Sequence, residues 1–68
     1  MIQTPQPAKE PVEAVLRKCY TAELQSVVEY EARSSDPEYG HVFARMARQE
    51  REHCALVLEL IGSLHKNS

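Results

Sequence analysis

Ser34-Ser35-Asp36-Pro37-Glu38 divides the chain into two helical halves. Asp36 can cap a helix with its carboxylate, Pro37 suits the first helical position, where no N–H is needed, and Glu38 suits the positive end of the macrodipole. Upstream, Val12 to Ser34 contains no proline or glycine. Within it Val12, Leu16, Cys19, Tyr20, Glu23, Val27 and Tyr30 recur at steps of three and four, which makes one helical face. Downstream the matching face reads Tyr39, Phe43, Met46, Glu50, His53, Val57, Leu60 or Ile61, and Leu64. Helices over about 11–34 and 37–64, joined by so short a connection, must fold back antiparallel. The expected fold is all-α: one helical hairpin over residues 11–68.

The ends follow from the same chemistry. Residues 1–10 carry Pro5 and Pro7 among polar side chains and read as a disordered arm. Pro11 fits the first position of the first helix. Gly40, in the first turn of the second helix, should weaken it by up to about 1 kcal/mol relative to alanine. Gly62 and Lys66-Asn67-Ser68 mark fraying.

A 68-residue chain is hard to stabilise alone. Small scaffolds add disulfides, a metal or a partner chain, and two cysteines allow at most one bridge. Metal binding or self-association is therefore the expectation. A formal net charge of −2 argues against nucleic acid, whose phosphates call for a basic surface. No apolar run approaches the roughly 18–20 residues of a membrane span. The start lacks the basic and apolar segments of a secretory signal, so a reducing, cytoplasmic setting is expected.

Each apolar face has a polar interruption at its middle: Glu23 in the first helix, Glu50 and His53 in the second. A carboxylate buried between helices without a partner is costly, and a metal ion supplies one. Glu50-Arg51-Glu52-His53 is a Glu-x-x-His motif. Its spacing sets the two ligands about 60° apart around the axis and about 4.5 Å apart along it, within reach of one cation. Di-iron carboxylate bundles use one Glu from each of two helices and Glu-x-x-His from each of the other two. One hairpin supplies half that set, and a two-fold homodimer supplies all of it. Level along the hairpin favours Glu23 over the other first-helix acids. Glu31 is displaced by about 12 Å, Glu13 by about 15 Å the other way, and Glu29 is both displaced and turned outward. The competing reading has Glu23 and Glu50 paired with Arg48 or Arg51, and His53 as an ordinary core histidine.

Tyr30, two turns after Glu23, is a core aromatic whose hydroxyl could support a metal-bound carboxylate. Arg45, Arg48 and Arg51 read as a solvated strip, His41 and His65 as surface residues near helix ends. Cys19 and Cys54 fall at matched levels and read as two buried thiols rather than a disulfide.

Glu23-Leu24, Tyr30, Asp36-Pro37-Glu38 and Glu50-Arg51-Glu52-His53, followed by an apolar helix end, resemble the encapsulated ferritins of the ferritin-like superfamily over about residues 20–62. Rubrerythrin halves carry similar Glu, Tyr and Glu-x-x-His elements. The resemblance implies a ferritin-like four-helix bundle formed by dimerisation, with Glu23, Glu50 and His53 as metal ligands and Tyr30 close by. It implies a ferroxidase that oxidises Fe(II) at a di-iron centre, one iron per chain, in iron storage or detoxification. It also implies ring-like assemblies of dimers inside an encapsulin shell. The chain differs in a connection about three residues shorter between Tyr30 and Asp36, in Gln25 where an acid is usual, and in ending at Ser68 without a further helix and targeting tail. The competing functions are a non-enzymatic dimerisation module stabilised by zinc or manganese, and a rubrerythrin-like peroxidase fed by an external electron donor.

Overall fold

The computed structural model describes residues 10–66. The arm expected over residues 1–10 lies outside them, except for Glu10, whose carboxylate accepts from the Lys18 ammonium at 2.7–2.8 Å. Two helices, α1 (Val12–Ala32) and α2 (Gly40–Lys66), pack against each other, with no strand among the described residues. The all-α hairpin expected from the sequence is the observed architecture.

The helix ends differ from expectation for identifiable reasons. Pro11 precedes α1 as its cap residue, with φ −55° and ψ 143°, and its carbonyl accepts from the amides of Ala14 and Val15. At the other end the Ser34 hydroxyl donates to the Glu31 carbonyl at 2.7 Å, and the Ser34 amide reaches the same oxygen at 3.2 Å. These short-range bonds use a carbonyl that a continuing helix would need, so α1 stops at Ala32 rather than Ser34.

Asp36 does cap: its Oδ1 accepts from the amides of Glu38 at 2.8 Å and Tyr39 at 2.7 Å. The capped segment 37–39 is a turn, however, and regular α2 begins at Gly40 instead of Pro37. The Gly40 amide donates to the Asp36 carbonyl at 2.9 Å. Gly40 is buried, and a Cβ there would overlap the Ser34 carbonyl oxygen and stand 3.0 Å from its carbon. The glycine is thus a condition of the tight reversal, beyond its small cost to helix propensity. At the far end α2 runs through Gly62 to Lys66, beyond the expected end near Leu64.

The seam between the helices is narrow. Val27, Ala47, Cys54 and Val57 are buried, while Leu16, Tyr20, Tyr30, Phe43, Met46 and Ile61 are half-buried around them. Tyr30 and Phe43 stack across the seam with ring centroids 6.3 Å apart and planes 29° apart. Several positions expected on the inner faces lie outside this seam: Val12, Cys19, Tyr39, His53, Leu60 and Leu64 are exposed. The reason is geometric. Two helices can cover only a strip of each other's surface, and a wider apolar face needs further helices. On α2 the uncovered positions form a stripe of their own at steps of three and four: Val42, half-buried Met46, Gln49, His53, Leu56 and Leu60. Val42, Leu56 and Leu60 are each 42–53% exposed. No helix of the described residues is long and apolar enough to cross a membrane.

Candidate metal centre

Halfway along the hairpin the apolar seam gives way to Glu23 on α1 and Glu50 and His53 on α2. One ligand atom from each lies within 4.8 Å of the others, the spacing a single cation requires. His53 Nδ1 is 3.0 Å from Glu23 Oε2 and 3.6 Å from Glu50 Oε1. The carboxylate side chains are 27% and 23% exposed and the imidazole 55%, so the cluster opens toward the side where His53 stands. That side carries the uncovered stripe of α2.

The electrostatics are those of a negative site with too little positive charge. The Glu50 carboxyl is pushed above the usual carboxylate range, first by its hydrogen bond with Glu23, then by burial and by the Glu23 charge, with His53 opposing. Two carboxylates facing one another ionise at a mutual cost, which a bound cation would relieve. Cys54, one residue beyond His53, is buried. Its thiol is pushed up by that burial and by the nearby charges of Glu23 and Glu50.

Two other acids of α1 are engaged elsewhere. Glu31 pairs with Arg51 at 3.4 Å, and Glu13 is 2.5 Å from His65 Nε2 and 3.0 Å from the Arg17 guanidinium. Arg51 therefore serves Glu31, not Glu23 or Glu50, and Glu23 pairs with His53 itself. Tyr30 is placed against Phe43 rather than on a site carboxylate of its own chain. Of the two thiols expected to be buried, Cys54 is, whereas Cys19 is exposed, and both are free. His41 is exposed. His65 is also at the surface, yet it binds Glu13 across the open end of the hairpin. Level matching would not have found that pair, since Glu13 and His65 are offset along the hairpin by about 7.5 Å, a gap their long side chains span.

Two features of the site escape a reading of the inner faces alone. His53 is at the edge of the seam, three residues and so about 60° round from Glu50. The stripe Val42–Leu60 also centres on His53, a pattern visible in the sequence once the helix is read for a second apolar face. Neither a family profile, nor a curated protein sequence, nor a solved structure matches this chain.

Proposed function

We propose that the hairpin is half of a metal centre: a second copy covers the His53 side, and the pair of chains contributes Glu23, Glu50 and His53 twice. The observation that carries this reading is the convergence of two carboxylates and an imidazole within 4.8 Å at an open, apolar-flanked edge. The donor set fits the metal. Oxygen and imidazole ligands suit divalent iron, manganese and zinc, and a cation would relieve the repulsion between the facing carboxylates that raises Glu50. Four carboxylates and two histidines complete the di-iron carboxylate set. Exposed Val42, Leu56 and Leu60, flanking His53 along the stripe, supply apolar surface for a second chain to bury.

Ferrous ion is then the substrate, and the proposed reaction is its oxidation to ferric ion, as in the encapsulated ferritins the sequence resembles. Two ferrous ions give up two electrons, and dioxygen with two protons accepts them as hydrogen peroxide. Glu23 and Glu50 bind and neutralise the ions, and His53 fixes their position at the edge of the seam. By the same resemblance, the ferric product would be stored inside an encapsulin shell.

Aerobic oxidation of ferrous iron tests the reading. The chain should accelerate it, and Glu50→Ala and His53→Ala should each remove the acceleration. Variants as fast as the parent chain would refute the assignment. Metal that raises the melting temperature without accelerating oxidation would favour the structural zinc or manganese module.

A further inference from the structure

We infer that Cys19 and Cys54 form a redox-closable pair, a dithiol that hydrogen peroxide converts into a disulfide bridging the two helices of one chain. The inference does not rest on the metal reading, because two thiols and an oxidant are sufficient.

The placement is given by the hairpin. Cys19 precedes Glu23 by four residues and Cys54 follows Glu50 by four. Glu23 and Glu50 meet across the seam, so in an antiparallel pair both cysteines lie one turn, about 6 Å, further toward the open end. Cys54 is buried with the other seam residues, and Cys19 is exposed. The α1 seam centres between Glu23 and Val27, and Cys19 is about 60–80° round from that direction at 100° per residue. With axes about 9 Å apart and Cα atoms about 2.3 Å off each axis, the two Cα atoms are on the order of 6–7 Å apart. A disulfide tolerates Cα separations up to about 6.8 Å, so the pair falls at the long end of what can be bridged. Both sulfurs are free in this structure.

Their unequal exposure assigns the steps. Cys19 meets an oxidant in solvent, and Cys54 is shielded from it. The Cys19 sulfur attacks one peroxide oxygen, the O–O bond breaks, and a sulfenic acid and one water result. The Cys54 sulfur then attacks the sulfenic sulfur, the S–S bond forms as the S–O bond breaks, and the sulfenic hydroxyl leaves with the Cys54 thiol proton as a second water. Peroxide gains two electrons and the two thiols lose them.

The test is peroxide treatment of the full chain at low protein concentration, followed by mass spectrometry without reductant. The mass should fall by about 2 Da per chain, the signature of two thiols becoming one disulfide. Trypsin, cutting after Lys18, Arg33, Arg51 and Lys66, should release Cys19–Arg33 joined to Glu52–Lys66, and reductant should separate them. Cys19→Ser and Cys54→Ser should each abolish the linked peptide. Added oxygen on Cys19 with Cys54 still open to alkylation in denaturant would overturn the inference, as would bridges solely between chains. The map of the unsubstituted chain decides the matter even if Cys54→Ser folds poorly.

Discussion

Replacing Gly40 by alanine should destabilise the hairpin, although the same change at Gly62 should stabilise it. In a helix interior, glycine to alanine gains about 1 kcal/mol of propensity. At Gly62 nothing lies within 4 Å of the added methyl, so most of that gain should appear, about 0.5–1 kcal/mol. At Gly40 the methyl would overlap the backbone carbonyl of Ser34, which cannot rotate away as a side chain could. Overpacking of this kind costs about 1–3 kcal/mol, enough to cancel the propensity gain and leave a net loss of about 1 kcal/mol. The two variants should therefore differ by about 2 kcal/mol, with opposite signs relative to the parent chain. For a domain this small each kcal/mol moves the melting temperature by about 4–8 °C. Thermal unfolding followed by circular dichroism, with chelator present throughout, reads the difference directly. A Gly40→Ala chain as stable as Gly62→Ala would refute the close approach of α2 to the Ser34 carbonyl, and with it the tight reversal that sets the level of Glu23 against Glu50.

Metal-free protein should lose stability through Glu50 as pH rises. Its folded-state pKa lies above the ordinary value, so the folded chain holds the proton more tightly, and the loss begins at the ordinary value and ends above the raised one. Glu50→Gln should flatten that part of the pH profile while abolishing metal uptake. Asp36 has the opposite sign: the amides of Tyr39 and Glu38 hold its carboxyl low, so its contribution is present at neutral pH and lost as acid protonates it. Asp36→Ala should lower the melting temperature at pH 7 and lose most of its effect in strong acid, which a melting series across pH would show. Leu56→Glu, at an exposed position of the stripe, should leave the helical content unchanged and weaken self-association, as measured by sedimentation. Unchanged self-association, or none in the parent chain, would refute the stripe as a self-association face.

The hairpin was legible because its signals are local. A proline-marked break, an Asp36 cap and two runs without helix breakers define two helices, and a short connection leaves one way to pack them. Glu23, Glu50 and His53 were legible for a related reason: level and spacing are arithmetic on a helix. The helix bounds were less so, because the Ser34 hydroxyl and the close approach at Gly40 depend on how the reversal is built in space. The two-helix seam was also narrower than the apolar faces implied. Side chains such as His53, Leu60 and Cys19 carry inward-looking spacing yet stand at the edge of the seam, and periodicity cannot tell a face covered by one helix from a face awaiting another. Tyr30 shows the same limit, since its stacking on Phe43 follows from matched levels across the seam rather than from its distance to Glu23.

Native mass spectrometry of the chain loaded with ferrous iron under anaerobic conditions tests the central claim most directly. The half-site account predicts even-numbered oligomers carrying about one metal per chain, two in each dimer, in keeping with the di-iron carboxylate set. His53→Ala should appear without bound metal. A monomer holding iron as firmly as the dimer, or a His53→Ala dimer loaded like the parent chain, would contradict it.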